Sequence, residues 1–254
     1  MRSIFFALIL TIATLASPAQ AQNPLFVADI DFAPYSMISE GKPAGIDVDV
    51  LTEAARRSNL NLDIQFKQLD KLIEMVKTGQ CDGAFSLFRS PEREKYAMFM
   101  EAVPVHYSDY VLFTKVGDKF SFSSYADLTG KIIGKVDGVS LGEEFDAAKG
   151  KGTVEVKLYP DPAAALKGLL MGEIDAYAGN IDVTYHRLKT MGMTSSIVYL
   201  PKKIVSQKPA YLVMSRASKL ENKELILQKL ERALDLMRKD GTYGKIARRY
   251  LLRY

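Results

Sequence analysis

Residues 72–85 read LIEMVKTGQCDGAF, and residues 166–178 read LKGLLMGEIDAYA. Each stretch predicts an amphipathic helix, a glycine that ends the helix, and an aspartate that opens a short apolar strand. The glycine and the aspartate stand three residues apart in both copies: Gly79 and Asp82, then Gly172 and Asp175. Glycine commonly ends helices in the left-handed conformation, and a short apolar run between turn signals is typical of a buried parallel strand. The repeat therefore predicts an α/β protein with two similar lobes.

The residues that follow each copy are the first candidates for a functional site. In open α/β sheets, ligands bind beyond the carboxyl ends of the strands. After the first copy we predict a polar loop from Ser86 to Arg93, and after the second copy the chain reaches Asn180.

The first 21 residues have the three parts of a cleavable export signal. Arg2 supplies a basic start, residues 4–15 are apolar, and residues 19–21 form a small-residue cleavage site. The apolar run falls short of the roughly 20 residues that a membrane-spanning helix needs. We therefore expect a mature chain that begins at Gln22 in the periplasm, with an uncleaved anchor as the alternative.

Composition argues against several classes of function. The net charge of +4 is mild and the basic residues are scattered, so no nucleic-acid partner is implied. Cys81, the single cysteine, lies in an apolar context and is expected to be a buried, inert thiol. His106 and His186 are far apart, with no cysteine or carboxylate at ligand spacing, so we expect neither a metal nor another cofactor. We expect a monomer.

Strand and helix signals divide the mature chain between the two lobes. Lobe 1 is predicted to comprise residues 22–112 and 208–254, and lobe 2 residues 113–207. The apolar strands at 110–114 and 210–214 would then carry the chain between the lobes, and two crossing strands form a hinge.

Helix starts are predicted from capping residues. Asp70 is placed to cap the helix of the first repeat, and Asp161 followed by Pro162 is a clear start for the second. We also predict a helix that begins at Ser140. The other predicted elements are strands at 25–28, 62–66, 131–136 and 154–158, and helices from 46 to near 57–59, over 226–237 and over 243–251.

Seven short blocks in the right order carry a resemblance to a known family. They lie at residues 29–35, 45–49, 79–82, 91–93, 127–131, 172–176 and 240–243. By these blocks the chain resembles the extracytoplasmic solute-binding proteins of ABC importers, in the family that binds polar amino acids. The resemblance implies a two-lobed periplasmic binding protein-like (type II) fold. It also implies a small carboxylate-bearing ligand in the cleft between the lobes, and importer membrane subunits as partners.

Arg93 is the leading candidate for ligand binding. It lies beyond the first repeat's strand, where a guanidinium fork could hold a carboxylate through two hydrogen bonds. The resemblance implies the same role, since the arginine of the Pro-Glu-Arg block holds the ligand's α-carboxylate. The alternative is an exposed arginine on the first turn of a helix, where it would oppose the helix dipole.

Other candidates come from helix chemistry and from matched family positions. Ser140 and the free backbone N–H groups near it could bind an anion, or Ser140 could be a plain N-cap. Phe32 and Leu69 match positions where the family packs apolar groups around the ligand, and both could equally be core residues. Asp29 could bind a ligand cation or cap a turn. Ser86 completes this candidate set.

Two departures from the family pattern leave the ligand open. The loop before Arg93 is one residue short, and Arg89 stands where a serine or threonine normally helps to hold the carboxylate. Arg89 could bind a second acidic group on the ligand, which we favour slightly, or point into solvent. Asn180 stands where the family commonly has an aspartate for the α-ammonium group, and Asp182 lies two residues further on.

The resemblance leaves two alternatives to transport. The same fold hosts dehydratases that act on prephenate-like acids, and such an enzyme needs a general acid in the cleft. Only Asp29 and Asp182 could serve there, so we expect a binding protein and not an enzyme. A ligand sensor for a membrane receptor is the other alternative.

Overall fold

A computed structural model describes residues 23–251 of the chain. The predicted export signal, residues 1–21, lies outside the described residues. No helix within residues 23–251 is long and apolar enough to cross a membrane.

The first half of the chain alternates strands and helices. Its elements are β1 (Leu25–Asp29), β2 (Met37–Ser39), β3 (Lys42–Ala44), α1 (Ile46–Arg57), β4 (Asp63–Lys67), α2 (Leu69–Thr78), β5 (Gly83–Phe88), α3 (Pro91–Glu94) and β6 (Ala97–Phe99).

The second half repeats this alternation and ends in two helices. Its elements are β7 (His106–Lys115), β8 (Ile132–Val136), α4 (Glu143–Gly150), β9 (Glu155–Tyr159), α5 (Pro162–Leu170), β10 (Ala176–Asn180), α6 (Ile181–Thr190), β11 (Ile197–Ser215), α7 (Lys223–Lys239) and α8 (Thr242–Leu251).

Nine of the eleven strands form one sheet with a mirrored order about its centre, and β2 and β3 form a separate two-stranded sheet. The order is β4-β1-β5-β11-β7-β10-β8-β9, and β6 also pairs with β11. On one side β1 pairs in parallel with β4 and β5, and on the other side β8 pairs in parallel with β9 and β10. The long antiparallel strands β7 and β11 join the two halves. The two similar lobes predicted from the repeat are therefore present.

Each repeat aspartate connects its strand to a parallel neighbour. The Asp82 carboxylate accepts the backbone N–H of Leu25 at 2.8 Å, and the Asp175 carboxylate accepts that of Ile132 at 2.8 Å. Leu25 and Ile132 are the first residues of β1 and β8. In both halves, therefore, the repeat aspartate accepts the first backbone N–H of the neighbouring parallel strand.

Three predicted starts of elements can be compared with the structure. Asp161 caps α5 as predicted, because its carboxylate accepts the backbone N–H of Ala164. Asp70 is not the cap of α2 but lies in its first turn, because the helix begins at Leu69 and the extended Gln68 is the N-cap residue. The helix predicted from Ser140 begins only at Glu143, because Gly142 at φ 90° keeps the preceding chain extended.

Separate apolar clusters fill the two halves. One cluster of the first half packs α1, α7 and α8 around Phe26 and Phe85, and one of the second half packs around Leu112 and Phe145. Phe32 packs against both clusters. The boundary between the two halves therefore runs past the loop after β1.

Candidate ligand-binding site

A cavity lies at the carboxyl ends of five parallel strands, β1, β4, β8, β9 and β10. It contains about 470 Å³ of empty space, part of it open to solvent. The residues that line it are Asp29, Asp31, Phe32, Gln68, Leu69, Tyr110, Val136, Val139, Pro160, Pro162, Tyr177, Ala178, Asn180 and Val183. Both halves contribute to this wall, which is the position where open α/β sheets bind ligands.

Four of the eight predicted site residues line this cavity: Asp29, Phe32, Leu69 and Asn180. Phe32 and Leu69 form part of its apolar wall. The ring of Phe32 lies 5.2 Å from that of Tyr35 and 6.2 Å from that of Phe88, measured between centroids. Phe32 therefore belongs both to the packed core and to the cavity wall.

Asp29 ends β1 with its side chain at the cavity. Its carboxylate accepts the backbone N–H of Asp31 at 3.0 Å, and its carbonyl accepts the Ser36 hydroxyl at 2.6 Å. Burial raises the pKa of Asp29 to about 7. The group can therefore donate or accept a proton near neutral pH.

Arg93 is buried, with 5% of its surface exposed. Nη1 donates to the carbonyl of Phe88 at 2.8 Å, and Nη2 donates to the carbonyl of Gly138 at 2.8 Å. Among residues 23–251 no carboxylate forms a salt bridge with it. Burial lowers the pKa of Arg93. Arg93 is therefore not the exposed arginine of the alternative, and it is not among the residues that line the cavity.

Ser140 and Ser86 lie outside the cavity wall. Ser140 is not an N-cap, and its carbonyl accepts the Lys208 ammonium at 2.5 Å. Ser86 is not the start of a loop, because β5 continues to Phe88. The Ser86 hydroxyl donates to the Asp47 carboxylate at 2.5 Å.

Arg89 does not reach the cavity, in contrast to the orientation that the sequence slightly favoured. Its side chain is 47% exposed and pairs with Glu94 and with Glu101, the latter at 3.1 Å. These two glutamates lie on the outer side of the molecule, where they hold the guanidinium in solvent.

Asn180 lines the cavity, but both ends of its amide are engaged. Its oxygen accepts the backbone N–H of Val183 and so caps α6, and its nitrogen donates to the Ser108 hydroxyl at 2.7 Å. Asp182, two residues further on, accepts the hydroxyl of Tyr35 at 2.6 Å. A second contact between the halves joins Arg187 to Asp31 at 3.0 Å.

Sequence reasoning missed a buried polar network behind the cavity. His106 lies 2.5 Å from a carboxylate oxygen of Asp47 through Nδ1, and 3.0 Å from the hydroxyl of Ser108 through Nε2. The ring of Tyr35 stacks on His106 at 3.9 Å between centroids. The other oxygen of Asp47 has no hydrogen-bond partner among residues 23–251. The sequence did carry two signals for this network. Asp47 is a polar residue on the apolar face of α1, and His106 and Ser108 alternate along β7.

Cys81 is buried as predicted, and burial raises the pKa of its thiol to about 12. Within residues 23–251 no group of three or more histidine, cysteine, aspartate or glutamate side chains is arranged to hold a metal ion.

Comparison with known families assigns the class of protein that this fold and cleft define. The chain matches the family of bacterial extracellular solute-binding proteins, family 3, over residues 25–137 and 120–253. The two matches together span nearly all described residues. The chain belongs to this family.

Relatives in sequence are binding proteins for amino acids. The probable amino-acid-binding protein YxeM of Bacillus subtilis is 26% identical, covering 85% of this chain and 79% of that protein. The ABC transporter arginine-binding protein 1 of Escherichia coli is 26% identical, covering 97% of this chain and 98% of the relative. The histidine-binding periplasmic protein of the same organism is also 26% identical, covering 98% and 95%.

Solved structures share the fold. An ancestral arginine-binding protein bound to arginine is 24% identical with a TM-score of 0.74, covering 90% of this chain and 97% of its own. A histidine kinase sensor domain with similarity to periplasmic binding proteins is 21% identical with a TM-score of 0.76, covering 91% and 96%. At this identity the likeness concerns the fold, which transporters and sensors share.

Proposed function

We propose that this chain binds an amino acid or a related carboxylate in the cleft between its lobes and delivers it to the membrane subunits of an ABC importer. In this proposal lobe 1 comprises residues 22–112 and 208–254, lobe 2 comprises residues 113–207, and β7 with β11 forms the hinge. The protein acts as a monomer in the periplasm after loss of residues 1–21. Family membership and the amino-acid-binding relatives support this assignment.

The observation that carries the proposal is the buried, unpaired charge of Arg93. A buried charge without a counterion is costly. The neutral carbonyls of Phe88 and Gly138 satisfy its hydrogen bonds but not its charge. A ligand carboxylate that replaces one of these carbonyls supplies both a hydrogen-bond acceptor and a counterion. The new bond is also stronger, because charge-assisted hydrogen bonds are stronger than neutral ones.

Closure of the lobes is the second part of the proposal. The Arg93 contact to Gly138, the Tyr35 contact to Asp182 and the Arg187 contact to Asp31 all join lobe 1 to lobe 2. A ligand that bridges the lobes favours the closed arrangement by its differential affinity for it. The outer surface that a transporter contacts changes with closure.

A thermal-shift screen with the common amino acids and small dicarboxylates tests the proposal. A ligand that binds only the folded protein raises the melting temperature. We expect at least one compound to do so in the wild type and to lose its effect in Arg93→Ala. Arg89→Ala is the matched control, because this arginine lies four residues before Arg93 and in solvent. A shift that persists in Arg93→Ala would contradict the site assignment.

One observation favours a second candidate, a dehydratase: the Asp29 carboxyl group has a pKa of about 7 inside the cavity. That value suits a general acid. Incubation with prephenate and detection of phenylpyruvate by its absorbance separates the two functions. Binding without turnover supports the transport protein, whereas turnover that Asp29→Asn abolishes would replace it with the enzyme.

A further inference from the structure

Three cationic side chains converge on one loop, the segment from Val136 to Ser140. Lys135 Nζ donates to the carbonyl of Val139 at 2.7 Å, and Lys208 Nζ donates to that of Ser140 at 2.5 Å. Arg93 donates to the carbonyl of Gly138 between them. We call these three side chains the cation cluster.

Among the described residues, the cation cluster has no acidic partner at salt-bridge distance. Within residues 23–251 none of its three members forms a salt bridge with a carboxylate, although fourteen pairs of a lysine or arginine with a carboxylate occur elsewhere in that range. Backbone carbonyls are their direct partners, and carboxylates act on the lysines only at longer range, Asp137 and Asp146 on Lys135 and Asp146 on Lys208. Burial, followed by the charge of Arg93, lowers the pKa of Lys208 to about 8, and burial also lowers the pKa of Lys135. Burial, together with the nearby charge of Arg93, therefore disfavours the charged form of both lysines in the free protein.

The cation cluster borders the cavity. Val136 and Val139, whose carbonyls the Lys135 ammonium contacts, line the cavity wall. The Lys208 ammonium lies 6.0 Å from the ring centroid of Tyr110, another wall residue, and 4.9 Å from that of Phe88. The three cations are not themselves among the lining residues, but their partners Val139 and Tyr110 are, so the cations lie directly behind one side of the cavity wall.

The rest of the cavity wall offers a ligand little negative charge. Asp31 is already paired with Arg187, and Asn180 supplies no charge. Asp29 is the remaining carboxyl group of the wall, and near neutral pH it is partly protonated. The site therefore offers more positive than negative charge to its ligand.

We propose that Lys208 and Lys135 form, beside Arg93, a subsite for a second acidic group, and that the solute is a compound with two acidic groups. This inference rests on the proposed function, since it assigns the ligand class of the same cleft. Arg93 holds one acidic group, and the two ammonium groups, released from their carbonyls, hold the other. Charge-assisted bonds of this kind are stronger than the carbonyl contacts that they replace.

Matched pairs of ligands that differ only in the second acidic group test this proposal. We would measure L-glutamate against L-glutamine, and succinate against succinamate, by titration calorimetry. In the wild type we expect at least one diacid to bind, about tenfold or more tightly than its amide, because charged hydrogen bonds contribute more than neutral ones. Equal binding of the amides, or no binding of either diacid, would overturn the proposal.

Variants of the cation cluster separate recognition from a purely structural role. In Lys208→Met, and more weakly in Lys135→Met, the preference for the diacid should fall to within about twofold, and Lys208→Arg should retain it. Lys202→Met, an exposed position on the same strand, is the control. A structural role alone would lower the melting temperature but leave the ratio of diacid to amide unchanged, and that result would also overturn the proposal.

The outcomes distinguish this inference from the proposed function. A compound with one acidic group that binds in an Arg93-dependent manner, with no preference for diacids, would keep the transport protein and remove the second subsite. Loss of Arg93 dependence in every ligand would remove the proposed function itself.

Discussion

Asp29 shows how the position of a residue at the end of a strand sets its chemistry. Asp29 directly follows the buried residues of β1 and is itself partly buried, and burial of its carboxyl group disfavours the charged form. A single backbone N–H, from Asp31, compensates for part of that effect. The sequence marked Asp29 as a candidate by its family position, but its burial depends on the lobe that covers it.

The raised pKa of Asp29 predicts how stability depends on pH. The folded protein keeps the proton up to about pH 7, whereas the unfolded chain loses it near pH 3.8. The folded state therefore loses stability as the pH rises from about 4 to 7. Asp29→Asn keeps the acceptor and removes this loss.

We expect Asp29→Asn to raise the free energy of unfolding at pH 8 by a few kcal/mol, on the order of 1.4 kcal/mol for each unit of pKa shift. The gain should shrink at pH 5 and vanish below pH 4. Urea denaturation at these pH values measures it, with the exposed Asp63→Asn as control. A pH-independent difference between Asp29→Asn and the wild type would show that the carboxyl group is not buried as described.

The repeated elements explain why most of the fold could be predicted from the sequence. Gly79 and Gly172 end their helices in the left-handed conformation, as predicted, with φ values of 73° and 75°. Asp82 and Asp175 follow at the same spacing and bind the same backbone position in each half. These are local signals, so a single sequence carries them.

The predictions failed where contacts with other parts of the fold decide the position of a residue. Ser140 has the chemistry of an N-cap, but Leu141 is buried in the second half and Gly142 delays the helix. Arg89 has the chemistry of a ligand contact, but Glu94 and Glu101 hold it outside. The network around His106 joins residues that are distant in sequence, so no local pattern marks it.

The two repeat glycines offer a matched test at the level of the element. A Cβ atom at Gly79 would lie 2.5 Å from the carbonyl oxygen of Ala217, whereas one at Gly172 would meet only the end of the Lys115 side chain at 4.0 Å. Both substitutions to alanine incur the left-handed penalty of about 1–2 kcal/mol. Only Gly79→Ala adds a clash with backbone.

We therefore expect Gly79→Ala to lower the free energy of unfolding by clearly more than Gly172→Ala, by about 1–3 kcal/mol on the scale of overpacked sites. Chemical denaturation of both variants gives the comparison. Equal losses in the two variants would mean that the packing of Gly79 against residue 217 contributes nothing.

The contacts between the two halves set the behaviour of the whole molecule. Tyr35 stacks on His106 within its own half and reaches Asp182 across the cleft. This bond lies outside the ligand's own contacts in the proposed mechanism. It therefore contributes to the closed state and not to the ligand contacts themselves.

We expect Tyr35→Phe to weaken ligand affinity by about tenfold, because a hydrogen bond to a charged group contributes about 1.5–3 kcal/mol. The same variant should show a larger open fraction by small-angle X-ray scattering with subsaturating ligand. Tyr199→Phe, on an exposed part of β11, is the control. Unchanged affinity in Tyr35→Phe would show that this bond does not stabilise closure.

The most direct test of carboxylate binding is a calorimetric titration of the best-binding carboxylate compound into the wild type and Arg93→Ala. We predict an affinity loss of about 100-fold or more, because truncating one partner of a buried charge pair costs about 2–5 kcal/mol. Arg93→Lys should lose about tenfold, since the charge remains and the fork is lost. Circular dichroism verifies that each variant is folded. Wild-type affinity in a folded Arg93→Ala would contradict the account.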